Sequence, residues 1–188
     1  AEEVSYGPKN LGVSPEVIEE RSEKALKVVG LEGRRDEFPP AMPKGDRAKV
    51  VIASALALDP EIIILDEPTT GQDYSGCHQI MQIAKAMHEQ GRTVVFVTHH
   101  MALVAEYARR VIVLSGGKVI LDDITEAVFS KPEVVRQAYI IPPQITELGQ
   151  ALPPELGLPR TPLTVETMCQ AVVQKALETH PQPEFGRN

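Results

Sequence analysis

Two adjacent carboxylates, Asp66 and Glu67, close a run of four aliphatic residues, Ile62-Ile63-Ile64-Leu65. A continuous β-branched run without period-two alternation reads as a parallel strand covered on both faces. Acids at its carboxyl end lie where open α/β sheets place ligands. The first acid can hold Mg²⁺ through its water shell, because Mg²⁺ prefers oxygen ligands and dehydrates reluctantly. The second then faces whatever lies beyond the metal and can orient or deprotonate a water. By itself the pattern also fits a strand followed by a solvated acidic turn.

The surroundings sharpen the chemistry. Pro68-Thr69-Thr70-Gly71-Gln72-Asp73 comes next, and Thr98-His99-His100 stands after one helix and one further strand. A histidine at the end of a neighbouring strand can donate to a phosphate oxygen beside the same metal. Successive residues of an extended chain point to opposite faces, so one metal would not easily take both imidazoles. His99 is therefore assigned to phosphate and His100 to solvent or a loop contact.

The elements that must position these groups are set by periodicity and caps. Ser14, Pro15 and Gly30 bracket a helix over 15–29, with Ile18, Ala25, Leu26 and Val29 on one stripe. A second helix, about 47–58, is apolar over most of its surface and is expected to be buried. After the 62–65 strand come a helix near 75–90 and a second buried strand over 93–97. A short helix over 101–108 leads to a hairpin, 111–114 and 118–121, turning through Gly116-Gly117. That order predicts an α/β sheet with an antiparallel edge. Prolines number 16 in 188 residues, and half lie from Pro142 onward. The shift marks a boundary near 139–143, beyond which short helices punctuated by proline are expected. The last of them, about 165–177, carries an apolar stripe that should pack on its own domain or, alternatively, contribute to pairing between subunits.

Composition bounds the rest. At 188 residues and 20.6 kDa, with 43% hydrophobic residues, the chain can build a core. Trp is absent and aromatics are 4%, so that core is aliphatic. Lys+Arg 19 against Asp+Glu 26 gives a net charge of −7, which argues against a nucleic-acid binder. No apolar run reaches the ~18 residues of a membrane span. Ala1-Glu2-Glu3 lacks the layout of a signal peptide. A cytosolic chain is expected, with any membrane association made through a partner. Cys77 and Cys169 read as two reduced thiols inside helices.

The order hhhhDE, Asp73, then His99, with the intervening α/β pattern, resembles the ATP-binding subunits of ABC transporters. The resemblance implies that Asp66 is the Walker B aspartate that holds Mg²⁺. It makes Glu67 the catalytic acid beside it, Asp73 the D-loop acid and His99 the switch histidine. The segment 7–15 (Gly7-Pro8-Lys9-Asn10-Leu11-Gly12-Val13-Ser14-Pro15) resembles the stretch just after the Q-loop in cobalt-type and energy-coupling-factor ATPases. In the tail, Pro142-Pro143-Gln144-Ile145-Thr146 and Leu158-Pro159-Arg160-Thr161-Pro162-Leu163-Thr164 resemble segments of the same subfamily. The fold implied is a partial P-loop NTPase core. It comprises a helical, signature-containing subdomain over 1–58, part of the α/β ATPase core over 59–139 and a mainly helical extension over 140–188.

The match departs from the family at two points. No G-x-x-x-x-G-K-[ST] string occurs; Gly116-Gly117-Lys118 joins two strands and lacks both the hydroxyl residue and the helix that should come after it. The family's signature L-S-G-G-Q stands here as Met42-Pro43-Lys44-Gly45-Asp46. Pro43 removes a hydroxyl and an N–H, and Lys44 replaces a glycine. Pro43, Lys44, Gly45, Asp46 and Asp73 are the residues expected against nucleotide. Without a phosphate cradle, Asp66, Glu67 and Asp73 form an acidic edge, so this chain alone is expected to bind ATP weakly or not at all. The resemblance implies ATP and Mg²⁺ as cofactors, a second ATPase subunit and an integral membrane component as partners, and a place on the cytoplasmic face of the membrane. Its task would be to energise import of a vitamin or a transition-metal ion such as cobalt. Three alternatives stand beside it: a non-catalytic interaction subunit; a truncated, inactive ABC ATPase fragment; and a soluble ATPase working on DNA or ribosomes, against which the acidic balance counts.

Overall fold

The computed structural model describes residues 1–179, which divide into two compact units between Thr98 and His99. The first unit opens with three helices, α1 (Glu2–Asn10), α2 (Pro15–Val28) and α3 (Lys44–Leu56). Strand β1 (Ile62–Asp66), helix α4 (Tyr74–Glu89) and strand β2 (Thr93–Val97) complete it.

Helix α2 takes nearly its expected bounds. Ser14 stands at the N-cap in extended conformation but makes no side-chain capping bond, Pro15 opens the helix, and Gly30 turns left-handed (φ +70°) just past its end. Helix α1 departs from local expectation, because Gly7-Pro8 reads as a breaker. It forms because tertiary packing outweighs that propensity. Val4 and Pro8 are buried, and Gly7 sits so close to Leu58 that a Cβ there would lie 2.9 Å from its Cδ2. Helix α3 starts three residues earlier than its periodicity suggests, which moves Lys44, Gly45 and Asp46 from a loop into a first helical turn. Nor is it buried all round: Ile52, Ala53 and Leu56 face the core, while Val51 is exposed.

Strands β1 and β2 pair in parallel register, Ile62 opposite Thr93 through Asp66 opposite Val97. Their inner face joins Ile63 and Leu65 to a cluster that includes Ile80, Ile83, Ala84 and Met87 of α4, Ile52 and Leu56 of α3 and Val4 of α1. The expectation of two covered faces is corrected here. Ile62, Ile64, Val95 and Val97 point away from that cluster and are exposed. Among the described residues of the first unit, helices cover this pair of strands on the inner face.

The second unit contains α5 (Met101–Tyr107), the hairpin β3 (Arg110–Ser115) and β4 (Lys118–Ile124), α6 (Thr125–Phe129), α7 (Pro132–Val135), α8 (Gln144–Ala151) and α9 (Val165–Thr179). The hairpin turns through Gly116 and Gly117, both at positive φ (+56° and +73°), as a two-residue turn between twisted strands requires. Among the described residues β3–β4 and β1–β2 form two separate two-stranded sheets rather than the single sheet expected. Val113, Val128 and Val135 form the local core, with Leu121 and Ile140 against it. Thr146 is fully buried and donates to the Pro162 carbonyl at 2.6 Å, which ties the proline-rich segment to α8. The stripe of α9 is largely unpacked: Met168 is buried, but Val165, Cys169, Val172, Val173 and Leu177 are exposed. Both cysteines are free thiols, Cys77 buried in α4 and Cys169 exposed in α9. Residues 180–188, the end of the expected 140–188 extension, lie outside the described residues.

Burial separates two substitutions that look alike in sequence. Met87 is wholly inaccessible. Met87→Ala should lower the urea-unfolding free energy by about 2–5 kcal/mol. Val51→Ala, on the exposed side of α3, should stay within about 0.5 kcal/mol of the parent.

Candidate functional site

Strand β1 delivers its acids to the sheet edge as the aliphatic run predicts. Asp66 is the last residue of the strand, exposed and directly opposite Val97. The Glu67 N–H donates to the Val97 carbonyl at 2.9 Å, extending the ladder one residue past the strand. Glu67 itself has φ +46°, a left-handed conformation that costs a side-chain-bearing residue free energy. That kink ends the strand and starts the turn: Thr70 N–H donates to the Glu67 carbonyl at 3.1 Å, and the Thr70 hydroxyl lies 3.5 Å from Glu67 Oε2.

The turn continues into Gly71 (φ +70°), Gln72 and Asp73. Asp73 is the N-cap of α4, its Oδ1 accepting from Gly76 N–H at 2.7 Å. Sequence reasoning gives this acid a role in communication and misses the cap. The signal is present in the residues, since an Asp immediately before a periodic run is a standard helix start.

The first turn of α3 lies against this same turn. The Lys44 ammonium packs on Gly71, where a Cβ would collide with it. A Cβ on Gly45 would stand 3.1 Å from Gln72 Oε1. Within the first unit the fold therefore gathers Lys44, Gly45, Gly71, Gln72 and Asp73, from two segments about 25 residues apart in sequence. Pro43 stands at the N-cap of α3 and offers no hydroxyl; no side chain caps this helix. Its first-turn N–H groups are consequently unclaimed by a cap, the condition under which a helix start receives an anion.

Asp46 has a different place. Its Oδ2 accepts from Arg34 Nη1 at 2.6 Å, and Lys49 Nζ lies 3.5 Å from Oδ1. Arg34 is also bidentate with Glu37, Nε to Oε1 at 2.7 Å and Nη2 to Oε2 at 2.6 Å. The hydrogen bond from Arg34, followed by the Lys49 charge, holds the Asp46 carboxyl below its ordinary value, and Arg34 is pushed upward by Glu37 and Asp46. This knot pins the segment before α3 to its first turn.

His99 and His100 follow β2 after Thr98, His100 as the N-cap of α5; both are exposed, and both engage other groups. Among the described residues no group of three His, Cys, Asp or Glu side chains could hold a metal ion. No described helix is long and apolar enough to cross a membrane.

Known proteins bear on this arrangement. Residues 2–70 match the family described as ABC transporter. An energy-coupling factor transporter ATP-binding protein, EcfA1, of Caldanaerobacter subterraneus subsp. tengcongensis is 41% identical over 174 residues, 91% of this chain and 62% of that protein. The EcfA of Methanocaldococcus jannaschii is 37% identical over 158 residues, 84% of this chain and 57% of its own length. Residues 2–70 carry an ABC transporter domain, and the chain as a whole is similar to ABC transporter ATP-binding proteins. Among solved structures, cbiO1 of Clostridium perfringens, part of the ABC transporter complex cbiONQ, aligns with TM-score 0.64 at 34% identity over 77% of this chain and 58% of its own. The ADP conformation of an ATP-binding cassette, MJ1267, aligns with TM-score 0.61 at 25% identity over 67% of this chain and 50% of its own. The fold is therefore that of an ABC-type P-loop NTPase, and the chain spans less than two thirds of the length of each of these relatives.

The Arg34–Asp46–Lys49 knot carries a pH signature. A carboxyl held low in the folded state stabilises the fold above its unfolded value, and that contribution is lost as pH falls through the folded value. Thermal melting of the parent should therefore decline below about pH 4. Asp46→Asn should melt lower at pH 7 and show a shallower decline in acid.

Proposed function

We propose that this chain is the ATP-binding, energising component of an ABC importer for a vitamin or a transition-metal ion, acting with a second ATPase subunit and an integral membrane component at the cytoplasmic face. The observation that carries the reading is the placement of Asp66 and Glu67 together at the carboxyl edge of a parallel strand pair, in a chain akin to energy-coupling factor ATPases.

The donor set suits Mg²⁺ held mainly through water and phosphate oxygens. One exposed carboxylate ends the strand, and no described three-ligand cluster competes for the ion. Asp66 would hold Mg²⁺, which when bound would neutralise charge on the phosphates of ATP. Glu67 would orient and polarise the attacking water; the hydroxyl of Thr70 lies 3.5 Å from its Oε2. His99 donates to a γ-phosphate oxygen. The first turn of α3, with Lys44 as its charge, caps a phosphate held by the partner subunit, and Gly45 admits close approach. Asp73 relays between subunits through the turn it anchors. Asp46 supports this face from behind by fixing the start of α3.

A second reading, a non-catalytic interaction subunit, draws on Pro43. A family signature that relies on a serine hydroxyl finds a ring without hydroxyl or N–H at this position. The two readings separate in a reconstituted transporter. Glu67→Gln should slow ATP hydrolysis by about two orders of magnitude or more while nucleotide affinity changes little, because the carboxylate acts chiefly in the transition state. Hydrolysis at the parent rate would reject the assignment of Glu67 and favour the interaction subunit.

A further inference from the structure

Three segments of the first unit meet at one side chain, that of Gln72. This residue is half-buried in the turn between β1 and α4, directly after the left-handed Gly71 and before the Asp73 cap. A Cβ on Gly45, the second residue of α3, would stand 3.1 Å from Gln72 Oε1. Outside the adjoining stretch of α3, Gln72 is the one described neighbour within 4 Å of that point. A Cβ on Gly76, the third residue of α4, would stand 3.0 Å from the same oxygen and 3.2 Å from Gln72 Cβ. Glycine is a poor helix former, yet both helices carry one in their first turn where Gln72 meets them. The Gly76 N–H is also the group that Asp73 Oδ1 accepts from, at 2.7 Å, so wedge and cap share a residue. One position earlier, Lys44 of α3 lies across Gly71.

We infer that Gln72 is a positioning residue. Its side chain sets the spacing between the starts of α3 and α4, and through that spacing it holds the turn from Glu67 to Asp73 against the helix start that carries Lys44. It acts by volume, because each contact is made at a glycine, where a single added methyl group would press on it. Methionine, of similar length and without the amide, should therefore do the same work, and alanine should not. The spacing itself stands on the contacts among residues 44–76. Its bearing on ATP hydrolysis rests on the proposed function, which puts Glu67 on one side of the wedge and the phosphate-capping turn of α3 on the other.

The test begins with a double-mutant cycle between positions 45 and 72 in the full chain, read by urea unfolding. Gly45→Ala should raise the unfolding equilibrium constant where Gln72 is present. In a Gln72→Ala background it should be neutral or lower that constant, since the helix preference of alanine is then unopposed, and the coupling should reach about fivefold. Gln72→Ala should also speed amide hydrogen exchange at Thr70 and Gly76 about tenfold relative to Met81, buried mid-helix in α4, and Gln72→Met should restore the parent rates. In a reconstituted transporter Gln72→Ala should lower kcat about tenfold with KM for ATP within about twofold, and Gln72→Met should hydrolyse near the parent rate. Additivity within about twofold, or exchange at Thr70 and Gly76 unmoved by Gln72→Ala, would overturn the inference. So would exchange that methionine leaves fast, which would assign the effect to the amide. Hydrolysis is scored beside Glu67→Gln. If Glu67→Gln keeps the parent rate, the proposed function fails, and the cycle and the exchange rates still decide the role of Gln72. If Glu67→Gln is slow and Gln72→Ala is not, the proposed function stands and the positioning role is rejected.

Discussion

The parallel, in-register pairing of β1 with β2 governs the chemistry of the first unit. It brings the carboxyl ends of both strands to one edge, and its last hydrogen bond, from the Glu67 amide to the Val97 carbonyl, fixes where the strand stops. A one-residue slip would exchange Ile63 and Leu65 for Ile62 and Ile64 on the inner face and turn Asp66 toward the core. The helices enforce the observed register, because α4 and α3 present a continuous aliphatic surface to Ile63 and Leu65. Core packing and the orientation of the acids are thus one constraint expressed twice.

A second constraint joins the start of α3 to the turn after β1. Gly71 and Gly45 have no side chain where Lys44 and Gln72 need room, so the two segments touch closely. Behind that contact Asp46 gathers Arg34 and Lys49, and Arg34 gathers Glu37. Partly exposed ion pairs of this kind add little to stability one by one. Their effect is local: a shared guanidinium and a shared carboxylate restrict the direction in which the helix can leave its loop.

Much of this is legible in the residues. The strand ending in Asp66-Glu67, the α4 stripe, the bounds of α2 and the Gly116-Gly117 hairpin each rest on a short-range rule, and each forms. The features that are not legible depend on partners distant in sequence. Helix α1 contains a Gly-Pro step that local rules read as a break, and it exists because Gly7 lets it approach Leu58. The run Ile62–Leu65 looks covered on both faces because aliphatic content reports what a strand can bury, whereas Ile62 and Ile64 are exposed among the described residues. The α9 stripe misleads in the same way. At the site, the position of each acid is set by the sequence pattern and the capping bond of Asp73 follows a local signal, whereas the engagement of Asp46 by Arg34 requires the fold.

The backbone of Glu67 has a consequence for engineering. A left-handed residue bearing a side chain sits about 1 kcal/mol or more above a relaxed alternative. Any search that ranks variants by robustness alone would tend to install glycine or asparagine there, and the resulting protein would be sturdier and would have lost its carboxylate. With the role proposed for Glu67, resistance to heat and capacity for chemistry compete at a single peptide unit, so thermal hardening of this chain should leave that residue untouched.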